Sequence, residues 1–64
     1  MTTYRATLAL EVTHPQRLQD YTSGFLKGSS TTAERLSALV QGSAVLDPVI
    51  NGVRVVGVMI EEVG

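Results

Sequence analysis

The segment VRVVGVMIEE, residues 53–62, constrains the fold of this chain more than any other stretch. Its β-branched residues favour an extended strand. A strand with one wet face alternates apolar and polar residues with a period of two. Here Val53, Val55 and Met59 fall on one parity, Val56, Val58 and Ile60 fall on the other, and Gly57 interrupts the first. Apolar residues at both parities predict a central strand covered on both faces. A chain of 64 residues has little with which to supply the second cover. A domain of this size buries only about 60% of the surface its unfolded chain exposes. Small domains offset the deficit with disulfides, metals or association. There is no cysteine and a single histidine, His14, which removes disulfides and any thiolate or multi-histidine zinc site. Association remains, and an apolar content of 44% is compatible with it. Val55, Val56, Val58, Met59 and Ile60 are therefore the expected interface of a homo-oligomer, a dimer or larger, joined through sheet faces or sheet edges.

The rest of the chain divides into recognisable pieces. TYRATLALEVT alternates, with Tyr4, Ala6, Leu8, Leu10 and Val12 on one face and Arg5, Thr7, Ala9 and Glu11 on the other. That is the pattern of a half-buried strand. It stops at Thr13-His14-Pro15, where the residue before proline is driven from helical dihedrals and proline suits the first helical position. A helix from Pro15 is expected, with His14 at or near its N-cap. Leu18, Tyr21, Phe25 and Leu26 make one apolar stripe. Gly24 within that stripe predicts close packing against the helix, the alternative being that the helix ends early, and Gly28 its C-terminal cap. A second helix is announced by Thr31 and Glu34, the spacing of a capping box. Its stripe is Ala33, Leu36, Leu39 and Val40, and Gly42 closes it.

Asn51-Gly52 is a hairpin signal, since a tight primed turn needs positive φ at both central residues. It makes residues 44–50 a short strand, which Pro48 confines to a sheet edge. The alternative is an irregular loop over 46–52. The expected fold is a single α+β domain over 1–64, of order β-α-α-β-β, with helices packed on one face of a three-stranded sheet. The first strand and the long last strand run parallel through a right-handed crossover, and homo-oligomerisation completes the sheet.

Five basic and six acidic residues give a net charge of −1, which argues against phosphate neutralisation as the main task. MTTYRATLALEV lacks the basic start and continuous apolar core of a secretory signal, and no apolar run approaches the roughly 20 residues of a membrane span. A cytoplasmic protein without membrane association is the expectation. His14 is a candidate general base by residue type, yet no second histidine or cysteine exists to build a nucleophile–base pair. Lys27, at the end of the first helix, simply complements the helix dipole. Glu61 and Glu62 are adjacent on a strand and point to opposite faces, so they do not act as a pair. They discourage edge-to-edge aggregation of the apolar run before them. GSSTT precedes a helix but lacks the glycine and lysine of a phosphate loop, and Glu34 repels phosphate. No catalytic residue, cofactor or metal site is assigned, and a non-enzymatic protein is expected.

A β-α-β outline ending in VRVVGVMIEE resembles the short tautomerase subunits of the 4-oxalocrotonate tautomerase type. Their base is a proline directly after the initiator methionine. Thr2 stands there in this chain and both prolines, Pro15 and Pro48, are internal, so the activity is not carried over. The order strand, helix, helix also resembles the ribbon-helix-helix DNA binders. That resemblance implies a dimer whose outward strand residues, Arg5, Thr7 and Ala9, read the major groove.

The expected function is a small protein-interaction module, an adaptor, regulator or assembly protein acting as a homo-oligomer. A protein partner would meet Arg5, Thr7 and Glu11 of the first strand and the helical residues Arg17, Asp20 and Arg35, all expected to be exposed. One alternative is a nucleic-acid-binding regulator of ribbon-helix-helix-like type, with Arg5, Thr7, Arg17, Lys27, Arg35 and Arg54 gathered by symmetry. The other is a small-ligand binder with its pocket between subunits.

Overall fold

The computed structural model describes residues 1–64. Its elements are β1 (Tyr4–Val12), α1 (Pro15–Thr22), α2 (Thr32–Gln41) and β2 (Val53–Glu62). The strands form one two-stranded antiparallel ribbon. The arrangement is a small α+β one, and it corrects the expected three-stranded sheet in strand number and in direction.

Residues 44–50 are a loop, not a strand. The Asp47 carboxylate accepts the amides of Val49 at 2.7 Å and Ile50 at 3.3 Å. Asn51 is fully buried, and its side chain donates to the Val45 carbonyl at 2.8 Å and accepts from the Asp47 amide at 3.1 Å. These short side-chain bonds offer the backbone an alternative to a strand ladder. The Asn51-Gly52 signal thus marks a turn, but one that closes a loop rather than a hairpin. Gly52 has a φ of +68°, and a Cβ there would collide with the His14 carbonyl. Only glycine combines that conformation with that approach. The Gly52 carbonyl accepts the amides of Thr13 at 2.8 Å and His14 at 3.2 Å. The long strand therefore starts where β1 ends and runs back along it, which makes the pair antiparallel rather than parallel.

The register explains the mixed parity of the last segment. Pairs run from Tyr4↔Glu62 to Ala9↔Gly57, then from Leu10↔Val55 to Val12↔Val53, which leaves Val56 as an unpaired β-bulge. A bulge inserts one residue and so changes which parity faces which side. Directly opposed residues share a face. Val53 and Val55 before the bulge, and Val58 and Ile60 after it, thus lie on one face with Leu8, Leu10 and Val12. The expectation of a central strand covered on both faces is corrected: both strands are edges, and one apolar face is built from two parities. Met59 lies on the other face, opposite Thr7.

α1 begins at Pro15 as expected, with His14 at the N-cap position but making no side-chain cap. It ends at Thr22, short of Gly24 and Gly28, and the space beside Gly24 is open. Close packing at Gly24 and a cap at Gly28 are both corrected. The Thr22 hydroxyl donates to the Leu18 carbonyl at 2.8 Å and the Ser23 hydroxyl to that of Asp20 at 2.8 Å. Hydroxyls that take last-turn carbonyls, followed by a glycine, favour termination. α2 carries the expected capping box: the Thr31 hydroxyl accepts the Glu34 amide at 3.1 Å, and the Glu34 carboxylate accepts the Thr31 amide at 2.8 Å. Gly42 is its C-cap, and Ser43 takes the left-handed conformation at φ 55°.

Leu18, Leu39 and Val53 form the buried core, with Leu10, Val12, Leu36, Ala44 and Leu46 packed around it. Every strand residue in that group comes from the end of the ribbon where β1 stops and β2 starts. The helices cover that end alone.

Candidate functional site

The uncovered end of the ribbon is the most conspicuous surface of the molecule. Tyr4, Val58 and Ile60 share the apolar face with the core residues, yet they are 61%, 60% and 58% exposed. Of the expected interface residues, Val55, Val58 and Ile60 are brought together on this face. Met59 is on the opposite one, and Val56 sits at the bulge. Beside the bare region a groove of about 350 Å³ runs between β1 and the flank of α2. Ala6, Thr7, Leu8 and Leu10 line its strand side, Leu36 and Val40 line its helix side, and β2 contributes nothing.

The opposite face of the ribbon carries two ion pairs. Arg5 Nη1 lies 3.1 Å from Glu61 Oε1, and Arg54 Nη2 lies 2.6 Å from Glu11 Oε1. Both pairs are exposed, so each contributes at most about 1 kcal/mol. They sit at the two ends of the strip, about 20 Å apart along six strand residues, with Thr7, Met59, Ala9 and Gly57 between them. Arg17 is exposed and donates to the Pro48 carbonyl at 3.0 Å, which ties α1 to the 44–52 loop.

Arg35 departs from expectation. It is 5% exposed rather than a surface residue. From α2 its guanidinium reaches the end of α1, donating to Thr22 Oγ1 at 2.6 Å and to the carbonyls of Lys27 and Gly28 at 3.2 and 3.3 Å. An arginine fork satisfied by three oxygens can be buried where a lone charge cannot. As a contact for a protein or nucleic-acid partner, Arg35 is withdrawn. Thr22 and Asn51, both fully buried and hydrogen-bonded, are polar core residues that the apolar stripes did not reveal.

His14 is exposed, and its Nδ1 lies 2.9 Å from Thr13 Oγ1. No three histidine, cysteine or acidic side chains gather where they could hold a metal ion. Hydrogen bonds from the Thr31 backbone and side chain, helped by the charge of Arg35, lower the pKa of Glu34. That shift belongs to the helix cap. No helix is long and apolar enough to cross a membrane.

No protein-family model, curated protein or solved structure matches this chain.

Proposed function

We propose that this chain is a small protein-interaction module whose working form is a homo-oligomer, with no catalytic role. The observation that carries the reading is the surplus of surface. Folded monomers follow a scaling that gives about 3,950 Å² of accessible surface for 6.8 kDa, whereas this chain exposes 4559 Å². The surplus, about 600 Å², approaches the roughly 800 Å² that each partner buries in an ordinary stable interface. Shape agrees with area. A compact chain of this length has a radius of gyration near 10.7 Å, and this one has 13.1 Å with extents of 39 × 21 × 16 Å. A core of three fully buried apolar side chains is a thin basis for such an elongated body.

Self-association would shield part of the bare apolar end and leave the outward residues Arg5, Thr7 and Glu11 open to a further protein partner. The cations offer less support for nucleic-acid binding, because Arg5 and Arg54 already carry carboxylate partners and Arg35 is buried. Thermal unfolding at increasing protein concentration tests the reading. Folding coupled to association raises the midpoint with concentration. A midpoint that stays constant from low to high micromolar chain would count against it.

A further inference from the structure

We propose that the second copy docks along the free edge of β1, antiparallel and strand to strand, about a two-fold axis at Leu8. The result is a four-stranded sheet in the order β2-β1-β1-β2. This inference rests on the self-association reading above and names its surface.

The two edges of the ribbon are not equivalent. Backbone bonds outside the helices and the strand ladder involve residues flanking the strands, such as Thr3, Thr13 and Gly52, and none within Tyr4–Val12 or after Val53 in β2. Both edges are therefore open. The β2 edge is interrupted by the bulge at Val56 and by Gly57, and it finishes in Glu61-Glu62. Bulges and charges of this kind blunt an edge against pairing. β1 has nine residues with no bulge, proline, glycine or lysine. A long, regular edge is a template for another strand.

Backbone direction and charge then select the register. The Thr3 amide donates to the Gly64 carbonyl at 3.0 Å, its carbonyl accepts the Val63 amide at 2.9 Å, and the Thr13 amide donates to Gly52 at 2.8 Å. Odd-numbered residues of β1 thus turn their backbone groups toward β2. By alternation, those of Tyr4, Ala6, Leu8, Leu10 and Val12 point outward. Pairing on these groups with Leu8 opposite Leu8 uses all nine residues. It sets Ala6 opposite Leu10 and Tyr4 opposite Val12 as hydrogen-bonded pairs. Arg5 then stands opposite Glu11 in a non-hydrogen-bonded pair, the kind whose side chains approach more closely. A shift of one repeat either way sets Arg5 against Ala9 or Thr13 instead. Because Arg5 already meets Glu61 and Glu11 already meets Arg54, each of two rows across the sheet reads Glu61, Arg5, Glu11, Arg54. The signs alternate throughout.

The groove fits the same geometry, since its strand wall is β1 alone and its other wall is α2. A two-fold axis normal to the sheet keeps both apolar faces on one side and makes the contact isologous. Tyr4 and Ala6 of the bare half come beside Val12 and Leu10 of the partner, next to the end its helices cover. The partner thus flanks the β1 side of the bare region, whereas Val58 and Ile60 on the outer strands stay open.

Arg5→Glu and Glu11→Arg, made in separate chains, test the register. Either change alone sets like charges across the axis in both rows, and a roughly 3- to 10-fold weaker self-association is expected. In a one-to-one mixture, opposite charges meet across the axis in both rows of the mixed dimer. Native mass spectrometry should then show the mixed dimer well above its statistical share, which a mere loss of folding does not produce. Leu8→Cys gives an independent reading. The chain has no other cysteine, and opposed hydrogen-bonded residues lie about 5.5 Å apart between Cα atoms, within disulfide reach. Mild oxidation should yield a covalent dimer, whereas Met59→Cys should not. A chain that self-associates but mixes statistically and forms no Leu8 cross-link overturns this docking edge and leaves self-association standing. A chain that stays monomeric to high micromolar concentration overturns both.

Discussion

Arg35 holds α1, α2 and the segment between them together through one side chain. Its three acceptors are Thr22 Oγ1 and the carbonyls of Lys27 and Gly28. Hydrogen bonds to a charged donor each contribute about 1.5–3 kcal/mol, and the orphaned carbonyls would lose their partner. Arg35→Ala is expected to lower unfolding stability by about 2 kcal/mol or more, measured by urea titration. Gly52→Ala is expected to be as damaging for a different reason, because it combines a left-handed φ with a clash against the His14 carbonyl. A near-neutral result for either would contradict the packing described. Gly52 was legible as a turn residue from the Asn-Gly pair, although the turn it serves was not. Arg35 was not legible at all. An arginine on an amphipathic helix looks solvated unless the oxygens that wait for it are known, and these come from a helix end that the sequence placed further along.

At the scale of elements, the cap of α2 could be read from Thr31 and Glu34 alone, because a capping box is closed within four residues. Thr31→Ala should cost about 1 kcal/mol. The lowered pKa of Glu34 adds a pH dependence with a definite sign. Its contribution is present above the ordinary carboxyl value of 4.5 and is lost as pH falls through the lower folded value. Melting curves from neutral to strongly acidic pH should show that loss, and Thr31→Ala should reduce it. The end of α1 was only partly legible: Gly24 allowed an early stop, but an apolar stripe continuing through Tyr21, Phe25 and Leu26 masks the hydroxyl contacts that stop the helix. The bulge was hidden for a similar reason: mixed parity can signal two covered faces or one extra residue, and only the partner strand distinguishes them. Val55↔Leu10 and Gly57↔Ala9 already flank the extra residue. Deleting Val56 should therefore leave a cooperatively folding chain, whereas deleting Val58 should destabilise it, either by turning Ile60 away from the apolar face or, where Val56 takes up the ladder, by setting Gly57 opposite Leu8. Circular dichroism melts of the two deletions distinguish these outcomes.

For the whole molecule, the sequence raised the question of cover and assigned it to the face away from the helices. The bare surface is the far half of the one apolar face, where Tyr4, Val58 and Ile60 extend past the helices. Its position depends on the antiparallel register, which no local pattern contains. The charge ladder shows the same division. Arg5, Glu11, Arg54 and Glu61 were visible as separate charges, and only the strand pairing makes two ion pairs of them. Sedimentation equilibrium over a wide concentration range weighs the assembled particle without reference to its contacts. A mass of twice 6.8 kDa, falling only on dilution, is expected. A folded species of 6.8 kDa at every concentration would contradict the assembly proposed for this fold.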